Sequence, residues 1–144
     1  MIEAYCLALA LYHEARGEPL VGQIAVAQVV LNRVMDKRYP NTICAVVKQK
    51  KAFKKAGNKK LVYYCQFTFY CDGKSDKPNN KSKFKEMLDI ANAVTSTYLH
   101  VYDKKYQIIE GATHYHHIDI LPKWAKNMTE IATINNHIFY KLEW

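Results

Sequence analysis

Ile2-Glu3-Ala4-Tyr5-Cys6-Leu7-Ala8-Leu9-Ala10-Leu11-Tyr12-His13-Glu14-Ala15-Arg16-Gly17 opens the chain and sets its class. Leu7, Leu11 and Ala15 recur one turn apart on one side, and Ala4, Ala8 and Tyr12 on another. Few β-branched residues oppose a helix, so the spacing predicts one from Ile2 to Arg16 that ends near Gly17. Pro19 forbids simple continuation. Val21, Ile24, Ala25, Gln28, Val29 and Val34 then show the i, i+3, i+4 spacing of a second helix reaching Asp36, with Tyr39-Pro40-Asn41-Thr42 as the turn out of it. A third long helix is predicted from Ser82 to Tyr102, with Phe84, Leu88, Ala91, Val94, Tyr98 and Val101 as its buried stripe.

The segments between these helices carry other signals. A short apolar piece, Ile43 to Val47, leads into a solvated segment in which Lys48, Lys50, Lys51, Lys54, Lys55, Lys59 and Lys60 surround Phe53, with Gly57-Asn58 as a turn. Leu61 to Tyr70 is aromatic and β-prone, and Asp72-Gly73, Pro78 and Asn79-Asn80 mark a polar loop. Two β-prone runs, Glu130 to Ile134 and His137 to Leu142, flank Asn135-Asn136 and read as a hairpin. The pattern is that of an α+β chain, mainly helical, with a small antiparallel sheet.

At 144 residues and 49% apolar, the chain suffices for one domain, residues 1–144, with a real core. No apolar run approaches the roughly eighteen residues of a membrane span, and the opening segment carries Glu3 without a basic leader or cleavage site, so no export signal is expected. A formal charge of +8 draws the protein to polyanions: nucleic acid, anionic lipid or the acidic polymers of cell walls. Only Arg16, Arg33 and Arg38 offer planar forks, which argues against nucleic acid. Cys6, Cys44, Cys65 and Cys71 contain no CxxC, so no cysteine metal site is expected. Cys6 reads as a buried thiol, and Cys44, Cys65 and Cys71, near turns, are the candidates for one disulfide in an oxidising compartment.

Three groups carry chemistry. His13-Glu14-Ala15-Arg16-Gly17-Glu18 places two carboxylates four apart at a helix end, although such residues are more often solvated or paired. It is no zincin helix, because Gly17 stands where the second histidine is needed. Gly111-Ala112-Thr113-His114-Tyr115-His116-His117 would, as a strand, put His114 and His116 on one face, but two ligands are too few for a metal. Gln66-Phe67-Thr68-Phe69-Tyr70, with Trp124 and Tyr140, offers aromatic faces and an amide suited to sugars, against the plain alternative of core packing.

Taken in order, these groups resemble the spore-cortex-lytic type of cell-wall hydrolase over nearly the whole chain. The resemblance rests on Tyr12 to Glu18, Gly22-Gln23-Ile24-Ala25-Val26-Ala27, Val30-Leu31-Asn32-Arg33-Val34, Tyr39-Pro40, Cys44 with Val46-Val47, and Cys65-Gln66-Phe67-Thr68. It continues through Gly111 to His116, Pro122-Lys123-Trp124 and Asn136-His137-Ile138-Phe139-Tyr140. Phe69 stands where tryptophan is common, and Asn135-Asn136 replaces Gly-Asn. The resemblance implies a lysozyme-like domain, similar to lytic transglycosylases, that cuts peptidoglycan between N-acetylmuramic acid and N-acetylglucosamine. Glu14 matches the catalytic acid. Gln66, Phe67, Thr113, Tyr115, His116, Trp124, His137 and Tyr140 are the implied substrate-binding set.

A single-acid scheme follows more naturally than a two-carboxylate one, because Glu18 lies one turn from Glu14 on the same side and is poorly placed for attack from the opposite face. Glu14 would protonate the glycosidic oxygen, then accept the proton of the muramic acid 6-hydroxyl, giving 1,6-anhydro ends. Arg16 and Glu18 read as a scaffolding pair and the lysine segment as a tether to anionic wall polymer. No cofactor and a monomer are expected, and the absence of an export signal points either towards a phage endolysin that stays cytoplasmic until release or towards a chain shortened from a longer protein. Two rivals stand beside this: a basic binding module with phosphates on Lys48 to Lys60 and bases on Tyr63, Tyr64, Phe67 and Phe69, and a wall amidase with a metal at His114 and His116.

Overall fold

The computed structural model describes residues 2–54, 57, 61–97 and 107–143. Helix α1 (Ile2–Ala15) is apolar on nearly every side, with Ala4, Leu7, Ala8, Ala10 and Leu11 at most 1% exposed. Such a helix is stable only when surrounded. It is packed by α2 (Leu20–Met35), α3 (Ile43–Val47) and α4 (Lys81–Ser96), its alanines allowing close approach.

Local chemistry sets the boundaries. Thr42 and Asn80 cap α3 and α4 by accepting from Ala45 N and Lys83 N. Helix α4 buries Met87, Ala91 and Val94 and leaves Phe84 and Leu88 partly covered. Its C-cap is Thr97, where hydroxyls of Thr95, Ser96 and Thr97 turn back onto carbonyls of the last turn. The predicted helix to Tyr102 is therefore corrected to end at Ser96, and Tyr98 and Val101 lie outside the described residues.

Among the described residues two antiparallel sheets complete the fold. Strands β1 (Lys50–Lys54) and β2 (Leu61–Cys65) form a two-stranded ribbon, so three of the seven lysines expected in a solvated loop, Lys50, Lys51 and Lys54, lie on a paired strand. Of the β-prone run to Tyr70, only Leu61–Cys65 is a strand; Thr68–Cys71 is a 3-10 turn. The second sheet has the order β3-β5-β4, from β3 (His114–His117), β4 (Thr129–Ile134) and β5 (His137–Lys141). The expected hairpin joins β4 and β5 through Asn135, at φ 53°, a left-handed position that asparagine tolerates.

The expected disulfide among Cys44, Cys65 and Cys71 is present, and a second one, from Cys6, departs from its reading as a free thiol. Cys6 is bonded to Cys44, joining α1 to α3, and Cys65 to Cys71, closing β2 onto the 3-10 turn. Cα separations of 5.2 and 5.8 Å lie in the usual range. Cys6 is buried, as read, but its burial is against α3, where Cys44 meets it.

Candidate active site

Glu14 sits at the C-terminal end of α1, half-buried, where Tyr115 of β3 donates a hydrogen bond to its Oε1 at 2.9 Å. Burial pushes the Glu14 carboxyl above its ordinary value of 4.5; the Tyr115 hydrogen bond and the charges of His13 and Arg33 draw it back only in part. Burial, and next the charge of Glu14, raise the Tyr115 hydroxyl well above the usual phenol value, so it remains a donor. Tyr115→Phe should move the Glu14 titration further up, since a bond that favours the carboxylate is lost. Carbon-13 NMR of the labelled carboxyl measures it, and an unmoved or lowered value would contradict the assignment.

Polar residues of α2 hold β3 against Glu14. Asn32 and Gln107 exchange side-chain hydrogen bonds of 2.9 and 2.8 Å, Asn32 Nδ2 also donates to Ala112 O, and Arg33 Nε donates to Thr113 O at 2.7 Å. Gln107 Oε1 accepts from Gly111 N, whose φ of 84° favours glycine. The end of α1 is fixed too. Gln23 Nε2 reaches Ala15 O and Arg16 O, while His13 stacks on Phe69 at 4.5 Å and bonds Asp76 O through Nε2.

Glu18 meets the β4-β5 hairpin, not Arg16. Its side chain, 8% exposed, accepts from Asn136 N and Nδ2 at 3.3 and 2.9 Å. His137 Nδ1 lies 3.2 Å from Glu18 Oε1, within ion-pair distance but off hydrogen-bond geometry. Gly22 permits this approach, because a Cβ there would come within 2.9 Å of Asn135 Nδ2 and 3.2 Å of Glu18 Cβ. Arg16 is exposed and packs on Tyr12, its Cζ 4.3 Å from the ring centroid, so the expected buried Arg16–Glu18 pair is corrected. Glu18→Ala should destabilise the fold by about 1–3 kcal/mol through loss of these bonds. Urea unfolding checks this, and a change within ±0.5 kcal/mol would count against a hairpin anchor.

The strand period divides the expected substrate residues between two faces. Tyr115, His117, Phe139 and His137 share the face towards Glu14, with Tyr115 and His137 rings 5.1 Å apart. His114, His116 and Tyr140 occupy the other, packed with Trp124. There His116 Nδ1 donates to His117 O, so its Nε2 accepts from the Tyr140 hydroxyl, both at 2.7 Å. Burial, then Arg33 and Arg38, lower His114 to about 4. Its Nδ1 lies 3.0 Å from Thr113 Oγ1. Among the described residues no group of three His, Cys, Asp or Glu is arranged to hold a metal ion.

The remaining members lie apart. Thr113 is buried, and Phe67, 1% exposed, lies beside the Arg33 guanidinium. Gln66 is exposed beyond β2, its N–H bonded to Gln49 O. Phe67 and Phe69 are buried in the core, so the binding-module alternative lacks two of its four stacking rings, while Tyr63 and Tyr64 stay exposed. Asn32 and Arg33 were missed as site supports. The signal was two polar residues side by side in an apolar helix.

Comparison with known proteins agrees with this architecture. A family model described as Cell Wall Hydrolase matches residues 17–140, a span that begins just after Glu14. A spore cortex-lytic enzyme of Bacillus cereus is 32% identical over 136 residues, and that of Bacillus subtilis 30% over 134, covering 94% and 92% of this chain. The chain spans 42% and 35% of those proteins, less than half their length. Among solved structures, the catalytic domain of the Bacillus cereus SleB protein matches with TM-score 0.61 at 31% identity, over 96% of this chain and 89% of that one. The catalytic domain of the germination-specific lytic transglycosylase SleB of Bacillus anthracis matches with TM-score 0.62 at 31% identity, over 96% and 93%. The fold is α+β, mainly helical and lysozyme-like. The chain belongs to the cell wall hydrolase family.

Proposed function

We propose that the chain degrades peptidoglycan as one catalytic domain, residues 1–144, cutting the glycan strand between N-acetylmuramic acid and N-acetylglucosamine with Glu14 as acid and then base. The observation that carries this is a carboxyl raised by burial and held by a phenol that stays protonated. A carboxyl that holds its proton more tightly than an ordinary glutamate is suited to donating it to a glycosidic oxygen. The names of the relatives, cortex-lytic enzymes and a lytic transglycosylase, support the same bond class.

Glu14 gives its proton to the glycosidic oxygen as the C1–O bond breaks through an oxocarbenium-like state. The Glu14 carboxylate then takes the proton of the muramic acid 6-hydroxyl while that oxygen bonds C1. The acid is regenerated, no water enters, and the new end is 1,6-anhydro. Support for this over hydrolysis comes from Glu18, the neighbouring carboxylate, whose oxygens are committed to the hairpin. In the binding set we assign exposed Gln66 to sugar and Tyr115 and His137 to framing the acid, while Trp124 belongs to the opposite face of the sheet. Thr113, Phe67, His116 and Tyr140 act behind them as supports. A metal amidase would need His116 Nε2 to give up its hydrogen bond with the Tyr140 hydroxyl.

The chain is expected to act at the bacterial cell wall, where its two disulfides are compatible with an oxidising exterior. No helix among the described residues is long and apolar enough to cross a membrane. Mass spectrometry of soluble products from purified peptidoglycan tests the proposal. Anhydromuramic ends are expected; reducing ends would replace the transglycosylase by a hydrolase, and no release at all would overturn cleavage.

A further inference from the structure

Arg33, near the end of α2, is 5% exposed. A buried guanidinium costs several kcal/mol unless acceptors or an anion meet it, so its partners should be accounted for. Nε donates to Thr113 O, and the Tyr39 and Phe67 ring centroids lie 5.3 and 5.4 Å from Cζ. Among the described residues Nη1 is buried without a hydrogen-bond partner and no carboxylate lies within ion-pair distance of Arg33. Thr113 O needs only a donor, which a neutral side chain can supply. Scaffolding therefore explains the Nε–H, and the two rings meet the cation, but no anion balances its charge.

We propose that Arg33 is a positioning residue for cleavage: a resident counter-charge that lacks an anion while Glu14 holds its proton and gains one when Glu14 releases it. This rests on Glu14 being the acid. The groups facing Arg33 are Glu14 from α1, Tyr39 from the turn after α2, and His114 and Tyr115 from β3; those facing Glu14 are His13, Arg33 and Tyr115. Among the groups that face Arg33, Glu14 is the carboxyl. With Glu14 neutral, attraction to Arg33 is small. As the proton passes to the glycosidic oxygen, charge grows on Glu14 in the field of a cation that is already fixed and buried. Such an interaction strengthens on the way to the transition state, which is the condition for a rate effect. With Nε spent on Thr113 O and Nη1 buried, Arg33 has no pair of N–H groups left to offer substrate as a fork, so it works through Glu14.

The test compares wild type, Arg33→Gln and Arg33→Lys by pH–rate profiles of muropeptide release, by carbon-13 titration of Glu14 and by thermal melts. Arg33→Gln can still donate to Thr113 O but is neutral. It should lower the rate about 10- to 100-fold and shift both the Glu14 titration and the alkaline limb upward. Arg33→Lys should keep the Glu14 titration near wild type and recover most of the rate. A folded Arg33→Gln that titrates like wild type, or Arg33→Lys no better than Arg33→Gln, would overturn the proposal. If Arg33→Gln does not fold, Arg33→citrulline, assembled by ligation at Cys44, keeps the shape and Nε–H and removes the charge. Cleavage surviving in Glu14→Gln would remove the acid itself; loss there with an unmoved titration in Arg33→Gln would remove only the role of Arg33.

Discussion

Glu14→Gln is expected to slow glycan cleavage by about 10²- to 10⁴-fold while raising the melting temperature at neutral pH. Glutamine keeps the shape of the side chain, and its Oε1 can still accept from the Tyr115 hydroxyl, so the resting geometry is preserved and only the transferable proton is lost. The stability gain follows from burial. Glu14 titrates higher in the folded protein than at its ordinary 4.5, so the folded state binds a proton that the unfolded chain releases. Stability is full below the unfolded value and is lost as pH rises through the folded one. A residue that is neutral at every pH escapes that loss. The two proteins should melt together below about pH 4 and diverge towards pH 7, by about 4 °C for each kcal/mol recovered. Equal or lower melting of Glu14→Gln at pH 7 would show that burial does not raise this carboxyl. Retained cleavage would show that it is not the acid.

The largest stability effect is expected from the disulfide between α1 and α3. Cys6 and Cys44 are 38 residues apart, and the chain-entropy estimate for a loop of that length is about 4 kcal/mol. Cys65 and Cys71 are 6 apart, for which the same estimate is about 2 kcal/mol. The double variant Cys6→Ala/Cys44→Ala should therefore lose more stability in urea than Cys65→Ala/Cys71→Ala, and reductant should bring wild type down towards the sum. The first disulfide joins the helix that carries Glu14 to α3, so its loss should also lower activity at temperatures where the folded fraction falls. Wild type indifferent to reductant would show that neither bond forms in solution, and the reverse order would show that loop length is not what governs their contribution.

Much of the frame was legible in residue order. Alternation of apolar residues at one-turn spacing placed α1 and α2 because helix geometry converts spacing into a face. Asn135-Asn136 between β-prone runs placed the hairpin because asparagine tolerates a left-handed turn. These are local rules acting over a few residues. Glu14 was singled out by two carboxylates at a helix end, and the resemblance carried by the surrounding motif gave it a role.

What residue order did not contain was which distant groups would meet. Cys6 read as an inert buried thiol because periodicity reports burial and not the identity of the neighbour; that neighbour is Cys44, supplied by the packing of α3. The run from Thr113 to His116 read as one substrate-facing group. Alternation along β3 sends Tyr115 towards Glu14 and His116 towards Tyr140 and Trp124, and only the docked sheet says which face meets the acid. Arg33 read as a surface fork because arginine is usually exposed, whereas α2 turns it inward beneath Thr113. Residue order alone set helices α1 and α2, the hairpin and the candidacy of Glu14, since these depend on neighbours in the chain. The hydrogen bond from Tyr115, the burial that raises the Glu14 carboxyl and the field of Arg33 upon it come from packing, since each depends on groups brought together through space.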